Sequence, residues 1–170
     1  MTTLRPAVLL LALCIAAPVA SAQDLPKLRP GHWEIVRKSE RAGEAGQRTV
    51  VCMDEAMQRM VWDMGMGTMR GMCSKSDLRI AGGRGTGDFV CNMGGSTART
   101  KAQIVFTGDT GYRADIDTRY EPPLNGQARS RFVVEARHLG ACKAGQQPGD
   151  VVMPSGQTIN IRNLFGGARK

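Results

Sequence analysis

The sequence predicts a mainly β protein, an antiparallel meander of about seven or eight strands that forms a barrel or half-barrel with one short helix. Apolar and polar residues alternate through three successive segments between positions 101 and 137, which is typical of half-buried strands. Four cysteines follow residue 50, and an even number is typical of a disulfide-stapled domain. A chain of 170 residues is long enough for one domain with its own core, not two.

Residues 1–22 are expected to be a signal peptide. Arg5 supplies its positive charge, residues 8–17 form an apolar run too short to span a membrane, and Ala20-Ser21-Ala22 fits a cleavage site. Residues 23–170 are then expected to form a single β-rich domain in the periplasm. This part contains no second apolar stretch of membrane-spanning length, so no transmembrane segment is expected.

Two strands are expected before the helix, at residues 32–38 and 48–53, with a polar turn between them. In the first strand, Trp33 and Ile35 share one face and are expected to point into the core. His32 alternates with Trp33 and is therefore expected to face solvent.

One helix is predicted near residues 54–64. Asp54 stands at the N-cap position, where its carboxylate can accept from backbone N–H groups of the first turn. Helical spacing brings apolar side chains together on one stripe, which consists of Met57, Met60, Val61 and Met64. Gly65 and Gly67 are expected to end the helix, and residues 66–72 to form a glycine-broken loop.

Short strands at 77–80 and 87–91 are expected to flank a glycine-rich turn, and three longer strands follow. The inward-pointing residues of the longer strands are expected to be Ala102, Ile104 and Phe106; Tyr112, Ala114, Ile116, Thr118 and Tyr120; and Ala128, Ser130, Phe132, Val134 and Ala136. The core of the domain then spans about residues 28–142. Residues 143–170 are expected to form a C-terminal hairpin and tail.

The register of the long hairpins follows from their loops and their side-chain pairs. A short loop at 108–110 puts Phe106 opposite Tyr112, and the next hairpin puts Ile116 opposite Phe132. Both registers bring apolar side chains together on one face and opposite charges together on the other. Each cross-strand pair contributes only about 0.2–1 kcal/mol, so it is their agreement within one register that supports the meander.

The cysteines that remain after removal of the signal peptide are expected to form two disulfides in an oxidising compartment. Cys73 begins a strand and Cys91 ends its hairpin partner, so both lie at the same end of the sheet. The helix can carry the chain across the sheet and bring Cys52 to the end where Cys142 lies. Strand parity therefore favours the pairs Cys73–Cys91 and Cys52–Cys142.

Several short motifs follow one another along the chain. They are Pro30-Gly31-His32-Trp33-Glu34, Cys52-Met53-Asp54-Glu55-Ala56, Cys73, Cys91, Thr107-Gly108-Asp109-Thr110, Tyr112, Gly140-Ala141-Cys142 and Pro148-Gly149-Asp150. In order and spacing they resemble DUF3617, a family of uncharacterised exported bacterial proteins. The resemblance covers about residues 28–160 and implies an exported β-rich domain, with no catalytic residue to carry over. His32 departs from the pattern, where an aliphatic residue is expected.

Methionines in the predicted loop form a candidate copper site, since thioether sulfur suits Cu(I). The candidate ligands are Met64, Met66, Met69 and Met72. The alternative is that methionines fill irregular gaps in the core or form an apolar contact surface, and core packing is favoured for those on the helix stripe. Apart from copper, no cofactor is expected.

No pattern in the sequence points to catalysis. His32 and His138 are the only histidines, and no nucleophile motif accompanies them. We therefore expect a non-enzymatic binding or accessory protein, with a small apolar ligand held inside the meander. An alternative is an envelope structural or partner-binding protein that uses its basic outer face. Because the net charge of +8 is spread through alternating strands, nucleic acid is not an expected partner.

Overall fold

Nine antiparallel strands form a single sheet in the computed structural model, which describes residues 26–40 and 46–166. The strands are β1 (Gly31–Ser39), β2 (Gln47–Met53), β3 (Cys73–Ala81), β4 (Arg84–Met93), β5 (Ser96–Thr107), β6 (Gly111–Leu124), β7 (Gln127–Gly140), β8 (Asp150–Val152) and β9 (Thr158–Asn160). Helix α1 (Glu55–Met72) joins β2 to β3, and α2 (Ile161–Gly166) follows β9. The expected signal peptide and the last four residues of the tail lie outside the described residues.

The sheet is open, so the closed barrel, one of the two predicted forms, is wrong. The strand order is β3-β4-β5-β6-β7-β1-β2-β8-β9, with β3 and β9 at its two edges. The mainly β class and the antiparallel meander from β3 to β7 are confirmed. The C-terminal hairpin adds to β2 and raises the strand number to nine. Because β9 has three residues and β3 has nine, β9 cannot supply the full ladder that closure onto β3 would need.

The predicted registers of the long hairpins are confirmed. Phe106 pairs with Tyr112 across β5 and β6, and Ile116 pairs with Phe132 across β6 and β7. The β6–β7 ladder becomes irregular beyond Arg119, before the turn that joins the two strands. Alternation of side chains along each strand therefore gives the sheet two faces of different character.

We call these the apolar face and the charged face. The apolar face carries Trp33, Val51, Tyr112, Phe132 and the residues in register with them. The charged face carries cross-strand ion pairs, which include Lys75–Asp88, Lys38–Glu135, Arg113–Glu135 and Arg131–Asp117. These side chains are 37–55% exposed, so each pair adds little to stability but marks this face as solvated.

Helix α1 is longer than predicted, because it continues through both glycines that were expected to end it. Its N-cap is as expected, and the Asp54 carboxylate accepts from the backbone N–H of Met57 at 2.7 Å. The helix ends only where Cys73 becomes extended and pairs with β4. The expected loop at 66–72 is therefore wrong, and those residues are helical. No helix in the described part of the chain is long and apolar enough to cross a membrane.

The path of the chain explains this length. The helix leaves β2 and must reach β3, and five other strands lie between them in the sheet. Six strand spacings amount to about 29 Å. The 18 residues of α1 span about 27 Å. A single interior glycine costs a helix only about 1 kcal/mol, which is too little to end it where the connection requires a straight span.

The fully buried core lies where β1, β2, β7 and β8 meet on the apolar face. Its buried side chains are Trp33, Val51, Ala136 and Val151. Trp33 is 0% exposed, and its indole N–H donates to the carbonyl of Arg29 at 2.8 Å. Its ring meets that of His138 edge-on, with 5.5 Å between the ring centroids. This end of the sheet is the most completely packed part of the described chain.

Both predicted disulfides are confirmed. Cys73 and Cys91 face each other across β3 and β4, with their Cα atoms 3.7 Å apart. Cys52 in β2 is bonded to Cys142, which follows β7, with a Cα separation of 5.4 Å. The crossing of the sheet by α1 brings each cysteine to the end of the sheet where its partner lies.

Residues 141–149 cover the charged face where β1 and β2 meet. The Gly149 N–H donates to the Cys52 carbonyl at 2.8 Å, and Gln146 Oε1 lies 3.0 Å from Nδ1 of His32. His32 is consequently only 5% exposed, and the expectation that it faces solvent is wrong. Alternation along β1 placed His32 on the correct face, but a segment more than 100 residues away in the chain buries it.

Glu34 is a buried carboxylate on the charged face, 7% exposed. It accepts hydrogen bonds from Arg137 and Arg48, and these guanidinium groups lower the pKa of Glu34 from its ordinary value of 4.5. As the pH falls, Glu34 is protonated in the unfolded chain before it is protonated in the folded chain. The stabilisation from its ionised carboxylate is therefore complete above pH 4.5. It is lost as the pH falls through the lower pKa of the folded state.

Glu34→Gln is expected to lower the free energy of unfolding by about 1–2 kcal/mol at neutral pH, because charge-assisted hydrogen bonds are lost from a buried side chain. Urea unfolding across the acidic range should show a shallower pH dependence for this variant below pH 4.5 than for the wild type. Glu135→Gln makes the same charge change on an exposed carboxylate of the same face. Glu135→Gln should lower the free energy of unfolding by less than Glu34→Gln does. An equal decrease in the two variants would show that the burial of Glu34 has no special effect.

Candidate functional site

The apolar face continues from the core across β7, β6, β5, β4 and β3, where it is incompletely covered. Its large side chains there are half-buried: Leu78, Ile80, Ile104, Phe106, Ile116, Phe132 and Val134. From β7 to β3 this surface is about 19 Å wide. A contiguous apolar surface of this extent typically marks a place where a ligand or partner binds.

Large and small side chains alternate across the strands on this face. One row runs from Phe132 through Ile116, Ala102 and Gly87 to Leu78. The Phe89 ring lies over Gly87, where an added Cβ would come within 2.5 Å of Phe89 Cε2. Large and small side chains therefore lie next to each other and make this face uneven. A flexible apolar chain can adapt its shape to such a surface.

Three hydroxyl side chains lie on the apolar face in one row across the strands, at Ser76 of β3, Thr100 of β5 and Thr118 of β6. The Oγ1 atoms of Thr100 and Thr118 are 2.9 Å apart and share a hydrogen bond. Ser76 Oγ is buried and has no hydrogen-bond partner among the described residues. An unpaired buried hydroxyl is costly, so Ser76 is a polar group that this face leaves unsatisfied among the described residues.

Arg37 is the only charged residue that the ladders of the described strands place on the apolar face. Its guanidinium carbon lies 4.2 Å from the centroid of the Phe132 ring, which is a cation–π contact. No carboxylate partner of Arg37 is found in the described ranges. At the core end of the same face, burial raises the pKa of the Tyr112 phenol.

A model of the protein family described as "Protein of unknown function (DUF3617)" matches residues 28–142. The match covers more than half of the 170 residues and includes β1 to β7 and both disulfides. The chain belongs to the DUF3617 family. This confirms the resemblance drawn from the motifs, and the family description assigns no activity or ligand. Comparisons with curated proteins and with solved structures found no match.

The four candidate copper ligands of this DUF3617 chain lie on α1 and not on a loop. Met64 and Met72 are about 12 Å apart along the helix axis. Four thioethers spread over this distance cannot bind one ion while the helix is intact. Only neighbouring pairs such as Met66 and Met69 can approach each other, so the copper hypothesis stays a prediction limited to such pairs.

Helix α1 covers the DUF3617 sheet only in part. Met57 is its one buried residue, with 1% of its surface exposed. Met60 and Met64 are half-buried, although they were expected in the core, and Trp62 is also half-buried. Met69 and Met72 are 36% and 44% exposed. Met57 is therefore a core residue, as expected, whereas the other helix methionines are closer to an apolar contact surface than to core filler.

The two histidines of this DUF3617 chain do not form a pair. His138 lies on the apolar face beside Trp33, whereas His32 lies on the charged face beneath residues 141–149.

A cleft of about 350 Å³ is also present on the charged face at β2 and β8, lined in part by Arg48 and Val152. Since Arg48 is already paired with Glu34, the apolar face is the stronger candidate site.

Proposed function

We propose that this chain is a non-enzymatic periplasmic binding protein that holds a small apolar ligand on the apolar face. One observation carries the proposal: large apolar side chains from four strands stay half-buried beside a fully buried core. A protein with no ligand or partner for this surface would leave it exposed at a cost in stability and solubility. The signal-like N-terminus and the two disulfides support the periplasmic setting.

The expected affinity follows from apolar burial. Each 100 Å² of apolar surface that a ligand removes from water contributes about 2.5 kcal/mol. Immobilising the ligand costs part of this gain, so only a ligand that contacts several of these side chains binds well. A long or multi-ring apolar molecule meets this requirement better than a small polar one.

Ala102→Trp is expected to abolish or strongly weaken binding of the neutral dye N-phenyl-naphthylamine to the purified protein. Ala102 is half-buried in the row between Ile116 and Gly87, so a large ring there occupies the surface that the dye needs. The measurement is the increase in dye fluorescence on titration with wild-type and variant protein.

Gln103→Trp is the matched control. Gln103 is the next residue in β5, and its exposed side chain points to the charged face. This variant should bind the dye as the wild type does. Equal weakening by both variants, or no dye binding by the wild type, would count against the proposed function.

Two alternatives remain proposals. Cu(I) binding by a neighbouring pair of helix methionines is supported by the exposure of Met69 and Met72.

An anionic envelope partner for the charged face is supported by Arg99 and Arg119, which lie directly opposite each other on β5 and β6. Both are exposed, and neither has an ion-pair partner in the described parts of the chain. Like charges in this arrangement repel, and a bound anion would relieve the repulsion.

A further inference from the structure

We infer that the ligand of the apolar face is an amphipathic anion, an apolar chain that carries one carboxylate, and that Arg37 binds this carboxylate. The inference rests on the proposed function, because it concerns the same surface. It names the chemical class of the ligand and the residue that selects it.

The position of Arg37 is the first argument. In β1 it follows Trp33 and Ile35 on the apolar face, and it pairs with Val134 of β7. The register places the other Asp, Glu, Lys and Arg residues of the described strands on the charged face, and many of them have carboxylate or basic partners there. Arg37 has no such partner among the described residues. Arg37 is exposed, so its guanidinium is solvated in the free protein and accessible to the anionic group of a ligand on this face.

The geometry of the guanidinium is the second argument. Its central carbon lies over the Phe132 ring, 4.2 Å from the ring centroid. A cation–π contact engages none of the N–H donors in a hydrogen bond, and the Arg37 side chain makes no hydrogen bond to another described residue. Those donors match the two oxygens of a carboxylate in a bidentate pair. Contact with Phe132 also holds the long side chain in one place before a ligand arrives.

The surroundings of Arg37 are the third argument. Phe132 begins the row that continues through Ile116, Ala102 and Gly87 to Leu78 at the far strand. An apolar chain whose carboxylate lies at Arg37 can therefore extend about 19 Å across four strand spacings. The ladders place no acidic residue of the described strands on this face, so nothing there repels the anion.

The test compares ligands that share one chain and differ only in the headgroup. Laurate, dodecanol and dodecyltrimethylammonium are each used to displace bound N-phenyl-naphthylamine from the wild type, Arg37→Gln, Arg37→Lys and Lys38→Gln. Lys38 is the next residue in β1, lies on the charged face and pairs with Glu135, so its variant makes the same charge change away from the site. Circular dichroism of each variant checks that the fold is retained.

Laurate should displace the dye from the wild type and from Lys38→Gln about tenfold more effectively than dodecanol, which corresponds to about 1.4 kcal/mol. The cationic detergent should be the weakest of the three ligands. Arg37→Gln should bring laurate to the level of dodecanol and leave dodecanol unchanged. Arg37→Lys should keep part of the preference, since an ammonium retains the charge but not the planar fork.

The outcomes separate the inference from the function on which it rests. Equal displacement by laurate and dodecanol in the wild type overturns the role of Arg37 while the dye still reports an apolar site. A laurate preference that survives in Arg37→Gln also overturns it. If the dye does not bind the wild type at all, the proposed function fails and the inference fails with it.

Discussion

Replacing Cys52 and Cys142 together with alanine is expected to lower the free energy of unfolding by about 4.6 kcal/mol. The bond closes a loop between residues 90 positions apart and joins the end of β2 to the segment after β7. Without it, the unfolded chain gains the conformational freedom of that whole loop. Because small domains are stable by only about 5–15 kcal/mol, this loss removes a large part of the stability of the domain.

Urea unfolding of the oxidised proteins measures this loss, and the second disulfide provides the matched comparison. Cys73 and Cys91 are separated by 18 positions, so replacing both with alanine should cost only about 3.2 kcal/mol. Cys52 is also 0% exposed, whereas Cys73 and Cys91 are half-buried, so the side-chain loss acts in the same direction. A larger loss for the short loop than for the long one would contradict this ranking.

Trp33→Ala is expected to cost about 3–5 kcal/mol, since it removes the largest fully buried side chain of the described residues. The indole is 0% exposed and packs with Val51, Ala136 and Val151. Its loss also leaves the carbonyl of Arg29 without the hydrogen bond that it now accepts at 2.8 Å. The measurement is the midpoint and free energy of urea unfolding, with the disulfides intact.

The other tryptophan supplies the control for this prediction. Trp62 lies on α1 and is only half-buried, so Trp62→Ala should cost roughly 1–2 kcal/mol. Trp33→Phe should cost less than Trp33→Ala, because it keeps most of the buried area and loses mainly the N–H donor. Similar losses for Trp33→Ala and Trp62→Ala would show that α1 is packed as tightly as the core.

Arg37 shows what sequence reasoning missed. It has the same parity in β1 as Trp33 and Ile35, so alternation alone places it on the apolar face. A basic residue at an inward position is a signal that the sequence already contains. Its stacking on Phe132 and its lack of a carboxylate partner in the described residues were not predictable, because they depend on which strands β1 lies between.

The sequence by itself determined the strands, their faces, the registers of the long hairpins and both disulfides. Period-two alternation is local, and opposite charges and matched apolar pairs agree in only one register. Tertiary structure decided the rest. Helix α1 extends to Met72 because it must cross the sheet, and His32 is buried because residues 141–149 lie over it. Whether the sheet closed depended on where the short β8–β9 hairpin docked, which no local pattern specifies.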